Sequence, residues 1–186
     1  MKHKLAVLTG PVGSGKTVIF ESLKKRHPQW AIVKSYTTRS PRPHEQDEKY
    51  IFVSREAFLQ KVHSGDIIEH EEYAGHLYGT SKESITTLLQ KESVVITHVN
   101  LRGAEFIKNN FANVVDIYLF VPLNMLKERV TQDKSRGIKD MKEYEERFRI
   151  AEEQNKQKNN FSYIVRNTST IESATDKVEE IILTHP

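Results

Sequence analysis

The stretch LAVLTGPVGSGKT, Leu5 to Thr17, decides how the rest of the chain is read. From Gly10 to Thr17 it spells G-x-x-x-x-G-K-[ST], the pattern of a phosphate-binding loop. Gly10, Gly13 and Gly15 let the backbone turn tightly around Ser14 and aim successive N–H groups into one concavity. Lys16 then reaches the β- and γ-phosphates, and the Thr17 hydroxyl can ligate Mg²⁺. A ligand-free glycine-rich turn could share these residues, but the motif also needs a strand before it and a helix after it. Both are legible, because Lys4–Thr9 reads as a buried strand and Val18–Arg26 as an amphipathic helix. A nucleoside triphosphate is therefore the expected ligand, with Mg²⁺ brought in by the phosphates.

The whole chain narrows the remaining choices. Its 186 residues suffice for one well-cored domain, or a core with a small inserted lobe. Lys and Arg number 28 against 25 acidic residues, a net charge of +3. That mild balance suits a small anionic ligand and predicts no nucleic-acid partner, for which longer basic stripes are needed. There is no cysteine, so disulfides and thiolate zinc sites are excluded, and the eight histidines show no H-E-x-x-H spacing. With no long apolar stretch and no cleavable signal, the expectation is a cytoplasmic protein without a membrane partner.

Further along, a short strand is expected at Ala31–Ser35, followed by a basic loop punctuated by prolines. YIFVSREAFLQKVHSG alternates as a strand and then turns helical, and DIIEHEEYAGHLYGTS reads as a hairpin turning at Ala74-Gly75. A helix from Lys82 leads to the apolar run SVVITHV, which suits a central parallel strand, and another helix follows. Val114–Val121 is the next buried strand. A charged helical stretch is expected from Leu123 to about Asn159, then the strand SYIVRN and a closing helix Ile171–Leu183. Alternating strands and helices predict an α/β fold: a parallel sheet flanked by helices, with ligands at the carboxyl ends of its strands. Residues 1–34, 82–125 and 160–186 would form the core, 35–81 a β-rich inserted lobe, and 126–159 a helical lid.

The inserted lobe holds the second candidate site. Arg39 and Arg42 lie three apart, with Glu45 and Tyr50 close behind. Guanidinium forks match a phosphate monoester, and a tyrosine hydroxyl donates one more bond. Standing alone, two arginines would be read as a solvated basic loop. Beside them, however, IIEHEEYAGHLYGTS adds Glu69, Tyr78, Thr80 and Ser81. A carboxylate can accept from both N1–H and the amino group of guanine, a pair of adjacent donors that adenine lacks. On an edge strand facing solvent, Glu69 would instead be an ordinary surface charge.

These segments together resemble the guanylate kinase family over nearly the whole chain. GPVGSGKT, SYTTRSPRPHE followed by DEKYIFVS, IIEHEEYAGHLYGTS, an arginine-bearing charged helix and YIVRN occur in that family's order. The resemblance implies a P-loop kinase that moves a phosphoryl group from ATP to GMP with Mg²⁺, as a monomer or homodimer. It implies that Ser35, Arg39, Arg42, Glu45, Tyr50, Glu69, Tyr78 and Thr80 hold GMP. Lys16 and Thr17 handle ATP and the metal, Arg136 and Arg147 are lid arginines, and Asn167 lies near the adenine. Where the family carries an Asp-x-Asp pattern, this chain has His98 and Asn100. Asn100 keeps hydrogen-bonding capacity on the acceptor side but cannot neutralise a cation. That departure leaves two rival expectations: a kinase for another nucleotide or a phosphorylated sugar, and a non-catalytic nucleotide-binding module. The intact P-loop favours an enzyme.

Overall fold

The computed structural model describes residues 3–41, 50–73, 75–132 and 141–186. In chain order the elements are β1 (Lys4–Thr9), α1 (Lys16–Arg26), β2 (Ala31–Ile32), β3 (Ser35–Thr37), β4 (Tyr50–Phe52), α2 (Arg55–His63), β5 (Ile67–Tyr73) and β6 (His76–Ser81). They continue as α3 (Lys82–Leu89), β7 (Val94–His98), α4 (Leu101–Asn110), β8 (Val114–Phe120), α5 (Leu123–Gln132), α6 (Met141–Lys156), a 3-10 turn at Gln157–Asn160, β9 (Tyr163–Arg166) and α7 (Ile171–Thr184). Five strands form one sheet in the order β2-β7-β1-β8-β9, and four form another in the order β4-β3-β6-β5. Among the described residues no helix is long and apolar enough to cross a membrane.

The chain divides into two compact units, Met1–Ala6 with Pro28–Val114, and Val7–His27 with Val115–Pro186. The stretch 35–81 falls wholly in the first unit and 126–159 wholly in the second.

In the first unit β2 and β7 pair in parallel, Ala31 opposite Val95 and Ile32 opposite Ile96. The interior of β7 is fully buried, as its unbroken β-branched run requires. The expected strand Ala31–Ser35 is two strands, β2 and β3, which belong to different sheets. Val33 still donates its N–H to Ile96, exposed Lys34 makes the crossing, and β3 begins at Ser35. No glycine or proline marks that switch. In the smaller sheet Phe58 of α2 packs with Ile67 and Leu77 into a separate apolar cluster, flanked by Tyr36, Val53 and Val62.

In the second unit β8 and β9 pair in parallel from Ile117 opposite Tyr163 to Phe120 opposite Arg166. The buried Tyr118 hydroxyl donates to Asn155 Oδ1 at 3.0 Å, and Asn155 Nδ2 donates to the Val121 carbonyl. These bonds tie α6 to β8. Leu126 of α5 and Phe148 and Ala151 of α6 close a core around Val121. Among the described residues the charged helical stretch expected from Leu123 comprises α5, α6 and the short 3-10 turn. Arg26 at the end of α1 bridges Asp176 and Glu179 of α7, and His27 adds a second contact to Glu179.

Candidate active site

The loop Gly10–Gly15 joins β1 to α1 and holds its three glycines at φ of 146°, 83° and 93°. Gly15 is the N-cap of α1 in the left-handed region, with no side chain closing the helix. By contrast, α2, α3, α4 and α7 are closed by the side chains of Ser54, Ser81, Asn100 and Thr170. The first N–H groups of α1 therefore remain available to an anion, and the helix dipole favours negative charge there. Lys16 Nζ donates back to the carbonyls of Gly10 (2.5 Å) and Pro11 (3.0 Å), holding its charge against the loop. Thr17 is exposed on the first turn of the same helix.

Asn167 supports this loop from beneath. It is fully buried, donates Nδ2 to the Ser14 carbonyl at 2.9 Å, and receives Arg129 on its own carbonyl at 2.9 Å. A Cβ on Gly15 would stand 2.6 Å from Asn167 Nδ2, so glycine permits both the left-handed backbone and this close approach. Thr9 Oγ1, Ser14 Oγ and Asn167 Oδ1 are buried without a hydrogen-bond partner. All three belong to this loop, to the strand end before it or to the asparagine that supports it.

The second set of residues is organised by sheet register. Ser35 lies opposite Tyr50 and Thr37 opposite Phe52 on β3 and β4. Thr37 also lies opposite Tyr78, while Glu69 pairs with Thr80 and Glu71 with Tyr78. Paired residues, and residues two apart on a strand, share a face. Ser35, Tyr50, Phe52, Glu69, Tyr78 and Thr80 thus project from one side of the sheet, and α2 covers the other. Pairing slips between Ile67 and Glu69, a β-bulge. In regular pairing Glu69 would follow Ile67 into the apolar cluster under α2; the extra residue turns it to the open face.

Glu69 lies on an edge strand yet is not a solvated surface charge. Thr80 Oγ1 donates to its carboxylate at 2.8 Å. Burial pushes the Glu69 carboxyl above the usual carboxylate range, while the Thr80 hydroxyl and the backbone N–H groups of Asn100 and Thr80 oppose that shift. The Glu69 side chain reaches the start of α4 because residue 103 is glycine: a Cβ there would stand 2.5 Å from Glu69 Cγ and 3.0 Å from Val99 Cβ. Asn100 caps α4, its Oδ1 accepting from Gly103 N at 3.0 Å. Its side chain therefore serves the helix, and its backbone serves Glu69.

At the end of β3 the Arg39 guanidinium lies 5.3 Å from the ring centres of both Tyr50 and Phe52. Tyr50 meets Tyr78 edge to face at 5.9 Å. The structure thus gathers Ser35, Arg39, Tyr50, Glu69, Tyr78, Thr80 and Asn100 in the first unit, and the loop residues with Asn167 in the second, to which Arg147 on α6 also belongs. Arg42, Glu45 and Arg136 lie outside the described residues. Reading the sequence missed Phe52, Gly103 and the Asn100 N–H. Phe52 had a signal in the alternation of YIF, and Gly103 one in its place just inside a helix.

Among the described residues no group of three or more His, Asp or Glu side chains could hold a metal. The Thr17 hydroxyl is a single hard-oxygen donor, which suits Mg²⁺ that keeps its waters and takes its other ligands from phosphate.

The family model described as Guanylate kinase matches residues 2–185. The guanylate kinase of Thermotoga maritima is 34% identical over 184 residues, 98% of this chain and 87% of its own. That of Synechococcus sp. is 32% identical over 183 residues, 97% of this chain and 82% of its own. A Nostoc guanylate kinase is 38% identical over a shorter 123 residues, 66% of this chain and 62% of its own. In fold, the crystal structure of guanylate kinase from Anaplasma phagocytophilum superposes with a TM-score of 0.67 at 23% identity, covering 98% of this chain and 85% of that one. An open P-loop helix, a sheet face built around a half-buried carboxylate and a family match over almost every residue lead to one assignment: the chain belongs to the guanylate kinase family.

Proposed function

We propose that the chain transfers the γ-phosphoryl group of ATP to GMP, giving ADP and GDP. The observation that carries the acceptor assignment is Glu69, turned by a bulge onto the face of Tyr50 and Tyr78 and anchored by Thr80 and the Asn100 N–H. A carboxylate held there accepts from N1–H and the 2-amino group of guanine together. Arg39 and Arg42 grip the GMP phosphate, to which the hydroxyls of Ser35, Tyr50 and Tyr78 can donate, and Glu45 and Thr80 complete the GMP site. Gly10, Gly13, Ser14, Gly15, Lys16 and Thr17 bind the ATP phosphates, and Asn167 holds their loop.

An oxygen of the GMP phosphate forms the new bond to the γ-phosphorus as the bond to the ADP oxygen breaks. No protein nucleophile is needed, because positioning and charge stabilisation supply the catalysis. Lys16, Arg136 and Arg147 offset charge on the transferring group. Mg²⁺, held through Thr17, supplies further charge neutralisation at the phosphates when bound. The protein works in the cytoplasm, as a monomer or homodimer. ADP release measured with GMP, dGMP, AMP, UMP, CMP and sugar phosphates tests this reading. GMP should give the highest kcat/KM, and another acceptor ahead of it would overturn the assignment.

A further inference from the structure

We propose that Phe52, which has no polar atom to offer a substrate, is a positioning residue that sets the Arg39 guanidinium for the acceptor phosphate through a cation–π contact. The inference rests on the reading of Arg39 as a phosphate ligand. Phe52 and Tyr50 are two apart on β4 and so project together. Their rings lie 6.1 Å apart, tilted by 49°, and the Arg39 guanidinium carbon is 5.3 Å from each ring centre. Ser35 and Thr37 are the parallel partners of Tyr50 and Phe52, so Arg39, two residues past Thr37, arrives above the same pair. Arg39 also donates its backbone N–H to Thr37 Oγ1 and NH1 to the Ser40 carbonyl. The second of these already holds one guanidinium nitrogen, and the two rings add contacts to the same group. An arginine carries about 2 kcal/mol of rotamer entropy, and a two-ring cradle removes much of it before substrate arrives. Tyr50 can also bond a phosphate through its hydroxyl; Phe52 acts only through its ring. Its quadrupole, more than its volume, would therefore determine how well Arg39 is held.

The test separates ring electrostatics from ring shape. Phe52 is replaced in the full chain by 4-fluoro-, 3,5-difluoro- and 3,4,5-trifluorophenylalanine, which keep the shape and progressively weaken the ring's negative face. The expected result is a stepwise rise in KM for GMP, about two- to fivefold for the trifluoro ring, with KM for ATP and the melting temperature unchanged. Phe52→Leu should raise KM for GMP at least as far, whereas Phe52→Tyr, which keeps an electron-rich ring, should leave it near the wild-type value. A flat fluorine series, in a protein whose KM for GMP still rises on Arg39→Ala, overturns the role of Phe52 and leaves the acceptor assignment standing. If Arg39→Ala leaves KM for GMP unchanged, or the wild type does not phosphorylate GMP, the underlying reading fails and this inference fails with it.

Discussion

Replacing Gly103 by alanine tests the acceptor site through a residue that need not touch substrate. The added Cβ would meet Glu69 Cγ at 2.5 Å, Val99 Cβ at 3.0 Å and Glu69 Cβ at 3.1 Å, so something must move. Val99 is almost fully buried, whereas the Glu69 side chain can rotate. Two terms of opposite sign act on stability. Exchanging glycine for alanine inside α4 gains about 0.8–1.0 kcal/mol of helix propensity, and overpacking costs about 1–3 kcal/mol. They offset to within about 2 kcal/mol, which leaves the fold intact. The acceptor site has no such compensation. Swinging Glu69 away from Thr80 and the Asn100 N–H misplaces the carboxylate proposed to read guanine. One lost charge-assisted hydrogen bond is worth about 1.5–3 kcal/mol, or roughly ten- to a hundredfold in KM for GMP. A coupled ADP-release assay, with GMP and ATP varied in turn, should show that rise for GMP alone. In a Glu69→Gln background the second substitution should add little, because both remove the same interaction. A KM for GMP within about twofold of wild type, with an unchanged melting temperature, would refute Glu69 as the base reader in this pose.

Three further outcomes are expected. Asn167→Asp removes the donor to the Ser14 carbonyl and sets a carboxylate beneath the phosphate loop, so KM for ATP should rise about tenfold or more while KM for GMP holds; an equal loss with GTP as donor would place the effect on the loop and not on the adenine. The raised Glu69 carboxyl favours its neutral form, so its contribution to stability is present at low pH and is lost as pH rises through its native value. Guanine recognition has the opposite sign: KM for GMP relative to ATP should worsen as pH falls, starting above the usual carboxylate range, and Glu69→Gln should flatten that dependence, leaving only the titration of the GMP phosphate. Tyr118→Phe strips Asn155 Oδ1 of its buried donor and should cost about 1–3 kcal/mol, read as a lower melting temperature with both KM values unchanged.

What could be read from the residues alone was whatever a local pattern encodes. The phosphate loop declares itself because glycine spacing, a lysine and an adjacent hydroxyl are all local, and the strand and helix around it have distinct periods. The buried strands β1, β7 and β8 were equally plain, as continuous apolar runs. The misreadings came where a nonlocal contact decides. β2 and β3 looked like one strand because the chain changes sheets at Lys34 without any turn residue. The bulge after Ile67 was hidden for a similar reason: IIEHEEY has no residue that announces a two-against-one pairing, and only the partner strand reveals that Glu69 changes face. Gly103 is informative solely through Glu69, a residue distant in sequence.

The exchange of an aspartate for Asn100 illustrates how one position can depart from a family pattern at small cost to the fold. Asparagine and aspartate are nearly equal as N-caps, so the bond from Gly103 N to the side-chain oxygen survives the exchange. The backbone N–H that Glu69 accepts is independent of the side chain altogether. What changes is charge. An aspartate at 100 would put a second carboxylate beside one that burial already drives toward protonation, and like charges raise such a pKa further. The neutral amide removes that repulsion and leaves Glu69 more readily ionised, which is the form guanine recognition requires. On the proposed reading the exchange thus favours the ionised guanine reader, without any change in how α4 begins.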